Sequence, residues 1–220
     1  MITPILLFDS REKWYPVGVE ESLALHGYEW HDGVDTFTKD KVPVKGLNFP
    51  KGMTQPDLPP VAYHRVVDKC NLYWHQFWFW YLYNPKNYLI AGEHEGDWEF
   101  IQLGCVDQGG NKPVIVTGSQ HHTGAKKEFW RVSQGHIERG PRFYVALGSH
   151  AHYFASVGDT EDMADGRGKI IVNFEFREFG PWASWPGKWG NSTGVGKSPD
   201  SPGKQNIRWN APHIFHGQSR

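Results

Sequence analysis

Strand-like runs follow one another along this chain, separated by turn residues, with no helix-length segment of period 3.6 to carry the chain across a sheet. The runs cover residues 1–9, 72–83, 97–105, 113–120, 127–133, 142–148 and 169–178. Parallel strands need crossovers of about a dozen residues or more, usually helical. Their absence predicts an all-β chain: one antiparallel β-sandwich domain over residues 1–220, with long irregular connections and at most one or two short helices. The one early helix falls within 16–27. There Val19 and Leu23 sit four apart, Glu20 and Glu21 suit a first turn, and Gly27 can adopt a left-handed conformation beyond the end.

Two stretches fit neither pattern. Residues 39–60 hold Pro43, Pro50, Pro56, Pro59 and Pro60, which predicts an extended surface segment, since proline removes ladder donors and turns its predecessor away from helix. Residues 180–220 combine Trp182, Trp185, Trp189 and Trp209 with Pro, Gly and Ser, and their apolar load predicts an irregular segment packed on the sheets. The run Tyr73–Tyr83 is apolar at nearly every position, as in a strand covered on both faces, and is assigned to the core.

Charge removes some functions. With 23 Lys+Arg against 24 Asp+Glu the formal net charge is −1, so no basic excess exists to hold nucleic acid or an anionic membrane. No apolar run reaches the ~18–20 residues of a transmembrane helix, and Met1–Asp9 lacks the basic and apolar regions of a secretory signal. The expectation is a cytoplasmic protein, although the processed form of a secreted one would read alike. Cys70 and Cys105 lie in no metal-binding spacing, which leaves a single bridge between them open. There is no GxSxG, P-loop, HExxH or dinucleotide fingerprint.

Chemistry concentrates where the strand of residues 97–105 begins. Period 2 puts Asp97, Glu99, Ile101 and Leu103 on one side, and Trp98, Phe100 and Gln102 on the other. Two carboxylates two residues apart on a strand are about 6.5 Å from each other. At an effective dielectric near 20 they repel by roughly 2.5 kcal/mol, before several kcal/mol of desolvation. A divalent cation, an Arg or Lys partner such as Arg142 or Arg177, or a shared proton would compensate, and each makes a different site. His94 and Glu95 enlarge the cluster. Tyr144–Phe154 ends a strand-like run in Gly148 and presents His150 and His152 two apart. Gly118–Gly124 presents His121 and His122, of which His121 is the candidate. If these strand ends are neighbours, their polar groups converge on one rim.

The motifs Phe8-Asp9-Ser10, Tyr15-Pro16, Tyr73-Trp74, His94–Glu99, Tyr144–His150, Trp185–Gly190 and Ser201-Pro202-Gly203 with Trp209 resemble, in this order, the vacuolar-protein-sorting sixty-two-related family over nearly the whole chain. More distantly, Glu93–Glu99 is similar to the GHRHDWE heptapeptide of the necrosis- and ethylene-inducing protein family. That similarity implies a β-sandwich cytolysin related in fold to fungal lectins and actinoporins, whose heptapeptide acids help hold a divalent cation that engages sphingolipid sugars. His94, Asp97 and Glu99 match the heptapeptide. Glu95 and Gly96 replace its Arg and His, and Asn84–Asn87 contains no counterpart of the family's upstream acid.

The resulting expectation is a divalent-metal site with Asp97, Glu99 and His94 as ligands and His150, His152 and His121 as acid/base groups, acting on a small polar or multi-oxygen substrate. Oxygen-only ligation would favour Mg²⁺ or Ca²⁺, and imidazole ligation Mn²⁺, Fe²⁺ or Zn²⁺. The alternative is a non-catalytic module for a glycan or lipid headgroup. A third reading keeps the polar cluster purely structural.

Overall fold

The computed structural model describes residues 1–50, 52–85, 93–120, 123–129, 140–157, 163–191 and 199–215. In chain order the strands are β1 (Ile5–Phe8), β2 (Tyr28–His31), β3 (Thr36–Lys39), β4 (Val42–Pro43), β5 (Val61–Lys69), β6 (Leu72–Asn84), β7 (His94–Cys105), β8 (Pro113–Gln120), β9 (Thr123–Glu128), β10 (Arg142–Val145), β11 (His152–Tyr153), β12 (Ile170–Ile171) and β13 (Glu175–Arg177). Two short helices, α1 (Val19–Ala24) and α2 (Asn206–Asn210), accompany them. The strands form a six-stranded sheet β13-β5-β6-β7-β8-β9, a four-stranded sheet β11-β10-β1-β12 and a three-stranded sheet β2-β3-β4. The chain is all-β as expected. Pairing is antiparallel except for β1 with β10 and β13 with β5, which are parallel. Among the described residues no helix is long and apolar enough to cross a membrane.

The six-stranded sheet is covered on both faces, which explains why β6 is apolar throughout. Phe77, Phe79 and Tyr81 alternate with Trp78, Trp80 and Leu82, and all six are buried. The first set packs with Ile101, Leu103, Phe143 and Val145 between the two larger sheets. The second packs with Trp98, Phe100, Trp182, Trp185 and Trp189 on the opposite face. Burying each large apolar side chain contributes roughly 1.5–3 kcal/mol, so both layers are substantial cores. The tryptophans of the 180–191 stretch do pack on the sheet, largely edge-to-face, as Trp182 on Tyr63 and Trp189 on Trp80 show.

The structure departs from expectation at two places and decides one point left open. Strands β2, β3, β4, β5 and β11 lie outside the seven runs; β5 is concealed because His64 and Arg65 interrupt its apolar pattern. The 39–60 stretch is not a surface segment throughout, since Leu47 and Phe49 are buried in the aromatic layer. Proline bars a residue from a ladder but not its neighbours' side chains from a core. Cys70 is exposed at the β5–β6 turn and Cys105 is buried on β7, and both are free thiols.

Candidate functional site: an acid/imidazole cluster between two sheets

Strand register sets out the cluster. Asp97 lies opposite Tyr81 and Glu99 opposite Phe79 on the β6–β7 ladder, so both acids point into the space between the two larger sheets, as the period-2 reading predicts. Both are buried, at 6% and 4% exposure. The facing segment supplies His150 and His152 with the same two-residue period. His150 stacks flat on Tyr81, with ring centroids 3.8 Å apart and an interplanar angle of 4°. His152 meets Phe79 edge-on at 5.6 Å. Each acid of β7 therefore has an aromatic ring beside it on β6 and an imidazole over that ring.

The sheets approach closely here because β8 carries Gly118. A Cβ at that position would lie 2.8 Å from both the His152 Cβ and the Phe143 ring. Gly96, at φ +67°, lets β7 enter beneath the Trp189 carbonyl, which a Cβ would strike. His150 itself is held at φ +52°, an uncommon conformation for a side-chain-bearing residue. It is stabilised by its backbone N–H bond to Ala146 O (3.2 Å) and by its ring contacts.

His150 Nδ1 lies 2.9 Å from Asp97 Oδ2, and its Nε2 lies 3.8 Å from Glu12 Oε2. Glu12 is fully buried and accepts bonds from the backbone N–H groups of Lys13 and Trp14 (both 2.8 Å) and Gly148 (2.6 Å). One imidazole thus sits between two carboxylates. Asp97, with a side chain 9% exposed, is the member of this trio that reaches the outside. The second acid is held differently. The Ser119 hydroxyl donates to Glu99 Oε2, accepts the Phe100 N–H (2.9 Å) and lies 3.4 Å from His152 Nδ1.

Three polar atoms of the cluster have no hydrogen-bond partner among the described residues: His150 Nε2, His152 Nε2 and the Tyr81 hydroxyl. Burial, followed by the charges of Asp97, Glu99 and Glu12, raises the Tyr81 phenol well above its ordinary range and keeps it protonated. Burial and the neighbouring charge of His150 push His152 down to about 3, so His152 is neutral at pH 7 and a poor proton acceptor there.

The structure brings Asp97, Glu99, His150 and His152 together and sets His94 apart. The His94 ring nitrogens are engaged by Asn84 (2.9 Å) and by Gly96 O (2.7 Å). Neighbouring Glu95 braces three layers, accepting the N–H groups of Phe49 (3.1 Å) and Asn191 (2.9 Å). His121 lies outside the described residues. Arg177 is not the acids' partner, for it binds Glu21 and Glu175. Among the described residues no three His, Cys, Asp or Glu side chains are placed to hold one metal ion together. Sequence reasoning missed Glu12, which lies in no motif, and Ser119, two residues before the His pair it considered. The matching two-residue spacings of Asp97/Glu99 and His150/His152 were a signal that these segments face each other.

No model of a known family matches the chain, and no curated protein matches it. The resemblance to the vacuolar-protein-sorting sixty-two-related family therefore has no support from these comparisons. Solved structures do align with it. One described as "NLPPya in complex with glucosamine" is 15% identical over 76% of this chain and 72% of that one, with a TM-score of 0.45. "Toxin fold for microbial attack and plant defense" is 14% identical over 76% and 74%, also at 0.45. "Crystal structure of non-toxic HaNLP3 protein" is 14% identical over 74% and 69%, again at 0.45. These neighbours are necrosis- and ethylene-inducing proteins, the type whose heptapeptide Glu93–Glu99 resembles, and the likeness is too loose to carry their properties to this chain.

Proposed function

We propose that the acid/imidazole end of the sandwich is a non-catalytic binding site for a polyhydroxylated ligand that presents positive charge, either an amino sugar or a sugar bridged by a divalent cation. The observation that carries this reading is the trio Glu12–His150–Asp97. Two buried carboxylates share one imidazole, so acids outnumber bases within the trio; the Arg208 guanidinium offsets part of that acidic excess from farther off, and Asp97 carries the remainder to the rim. A cation in the ligand relieves that excess, while vicinal hydroxyls match carboxylate and imidazole acceptors. Binding is favoured over catalysis because the Ser119 hydroxyl is fully buried, out of reach of a ligand at the rim, and because His152 is too weak a base to move a proton near pH 7.

The test is calorimetric titration at pH 7 with glucosamine, mannosamine and glucose, with and without chelator. The two amino sugars are expected to bind more tightly than glucose, and Asp97→Asn to weaken them at least tenfold. Loss of binding in chelator assigns the positive charge to a metal, and persistence assigns it to the ammonium. Equal behaviour of glucose and glucosamine in both conditions, or no binding of any of them, overturns the proposal.

A second reading, a metal-assisted enzyme, is favoured by one feature. His150 and His152 each turn Nδ1 toward an acid, directly or through Ser119, and leave Nε2 without a partner. Imidazoles that ligate metals are commonly oriented by such outer carboxylates. In this reading the two Nε2 atoms would hold Mn²⁺, Fe²⁺ or Zn²⁺, and Asp97 and Glu99 would orient them rather than ligate. The metal would polarise a ligand oxygen when bound. Elemental analysis of the purified protein and of His150→Ala decides it: one metal equivalent lost in the variant supports the reading, and none in either removes it.

A further inference from the structure

Away from the acid/imidazole cluster, residues 170–177 run along one flank as β12 and β13, the terminal strands of the four- and six-stranded sheets. This stretch is unusually apolar for a surface. Ile170, Val172 and Phe176 are 57%, 48% and 41% exposed. Strand β13 pairs with β5 on one side only, and the Glu175 N–H donates to Pro60 O (2.9 Å). Backbone groups alternate along a strand, so the N–H and C=O of Phe176 point away from β5 toward the open edge. Among the described residues neither has a backbone partner across that edge. Exposed edges of this kind are templates for another strand, and proteins usually block them with proline, lysine or a bulge. Here the edge strand is three residues long and carries charge at Glu175 and Arg177, which restricts it to a charge-matched partner, while no proline, lysine or bulge blocks it.

We propose that β13 pairs with β13 of a second copy of this chain, antiparallel about a two-fold axis at Phe176. The occupant is indicated by charge. Reversing Glu175-Phe176-Arg177 against itself places Glu175 opposite the partner's Arg177 and Arg177 opposite the partner's Glu175, while Phe176 meets its own counterpart. Phe176 is then the hydrogen-bonded pair, exchanging two N–H···O bonds through the groups that face outward, and the charged pairs flank it. Glu175 and Arg177 project to the face where Arg177 Nε already meets Glu175 (2.8 Å), so the four side chains alternate in sign across the axis. The Phe176 rings lie on the opposite face, beside Phe77 and Phe174. Such an interface is isologous and closes on itself, so it yields a dimer and not a filament.

Sedimentation velocity over a concentration series reads the prediction directly. Wild-type chain is expected to shift from monomer to dimer below about 1 mM. Phe176→Pro removes the outward N–H without removing a bond to β5, and Glu175→Lys places like charges opposite one another. Each is expected to raise the dimer dissociation constant at least tenfold with the far-UV circular dichroism unchanged. A wild-type chain that stays monomeric to about 1 mM overturns the proposal. So does a dimer that both folded variants form as tightly as wild type, which would place the contact elsewhere.

Discussion

Two pairs of imidazoles, buried except for the half-buried His64, occupy opposite ends of the same face of β6. At one end His150 and His152 lie over Tyr81 and Phe79. At the other, about 20 Å along the strand, His75 of β6 meets His64 of β5, with Nδ1 and Nε2 3.2 Å apart. Both ends have an acid nearby, Asp107 acting on His75 at the second, but they differ in how directly a carboxylate meets the ring. His150 touches Asp97 and lies beside Glu12, whereas His64 and His75 hydrogen-bond each other, His64 packs on Phe77, and the 106–112 turn presses Gly110 onto the His75 ring. Burial and the charge of His75 push His64 down to about 4, and burial also lowers His75. His152 resembles this second pair more than it resembles His150, since Ser119 stands between it and Glu99. Direct contact with a carboxylate sets His150 apart from the other three imidazoles, each of which burial pushes down.

The sharpest way to break the comparison is to remove the acid. Asp97→Ala leaves His150 stacked on Tyr81 with its Nδ1 partner gone. Losing one member of a buried pair costs about 3–5 kcal/mol, so urea unfolding should show a loss of that order. A cost near zero would mean that Asp97 is not what holds His150 at its φ of +52°. A smaller effect, about 1–3 kcal/mol, is expected of Ser119→Ala, which takes one donor from Glu99 and the acceptor from the Phe100 N–H. If Ser119→Ala proves costlier than Asp97→Ala, the second acid and not the first is the keystone of this end.

Much of this was legible before any coordinates. The period-2 rule placed Asp97 and Glu99 on the face of Ile101 and Leu103, and the doubly apolar β6 announced two covered faces. Alternation along a strand is a local property, so a single sequence displays it. What stayed hidden is nonlocal. Nothing in residues 9–16 shows that Glu12 will meet His150 across 138 positions, because that contact depends on how the turn after β1 packs against the 146–151 loop. Strand β5 escaped for a related reason: His64 looks solvated in sequence and becomes half-buried only because His75 and Phe77 lie beside it. Leu47 and Phe49 were obscured by the prolines around them.

The smallest expected effect tests the other end of the comparison. His64 is held near 4 in the fold and titrates near 6.5 in an unfolded chain. Between these values the unfolded state binds a proton that the native state refuses, so stability is full above about pH 6.5 and declines as pH falls toward 4. Glutamine can keep the hydrogen bond to His75 without titrating. His64→Gln should therefore unfold much like wild type at pH 7 and lose less stability on acidification, with a slope shallower by less than about 1.4 kcal/mol per pH unit, the limit for one proton. Parallel slopes in the two proteins would mean that the acid sensitivity arises elsewhere, with His152, pushed down to about 3, as the next group to examine. A variant more acid-sensitive than wild type would reverse the inference, because it would show that the His64–His75 pair takes up a proton more readily in the fold than in the open chain.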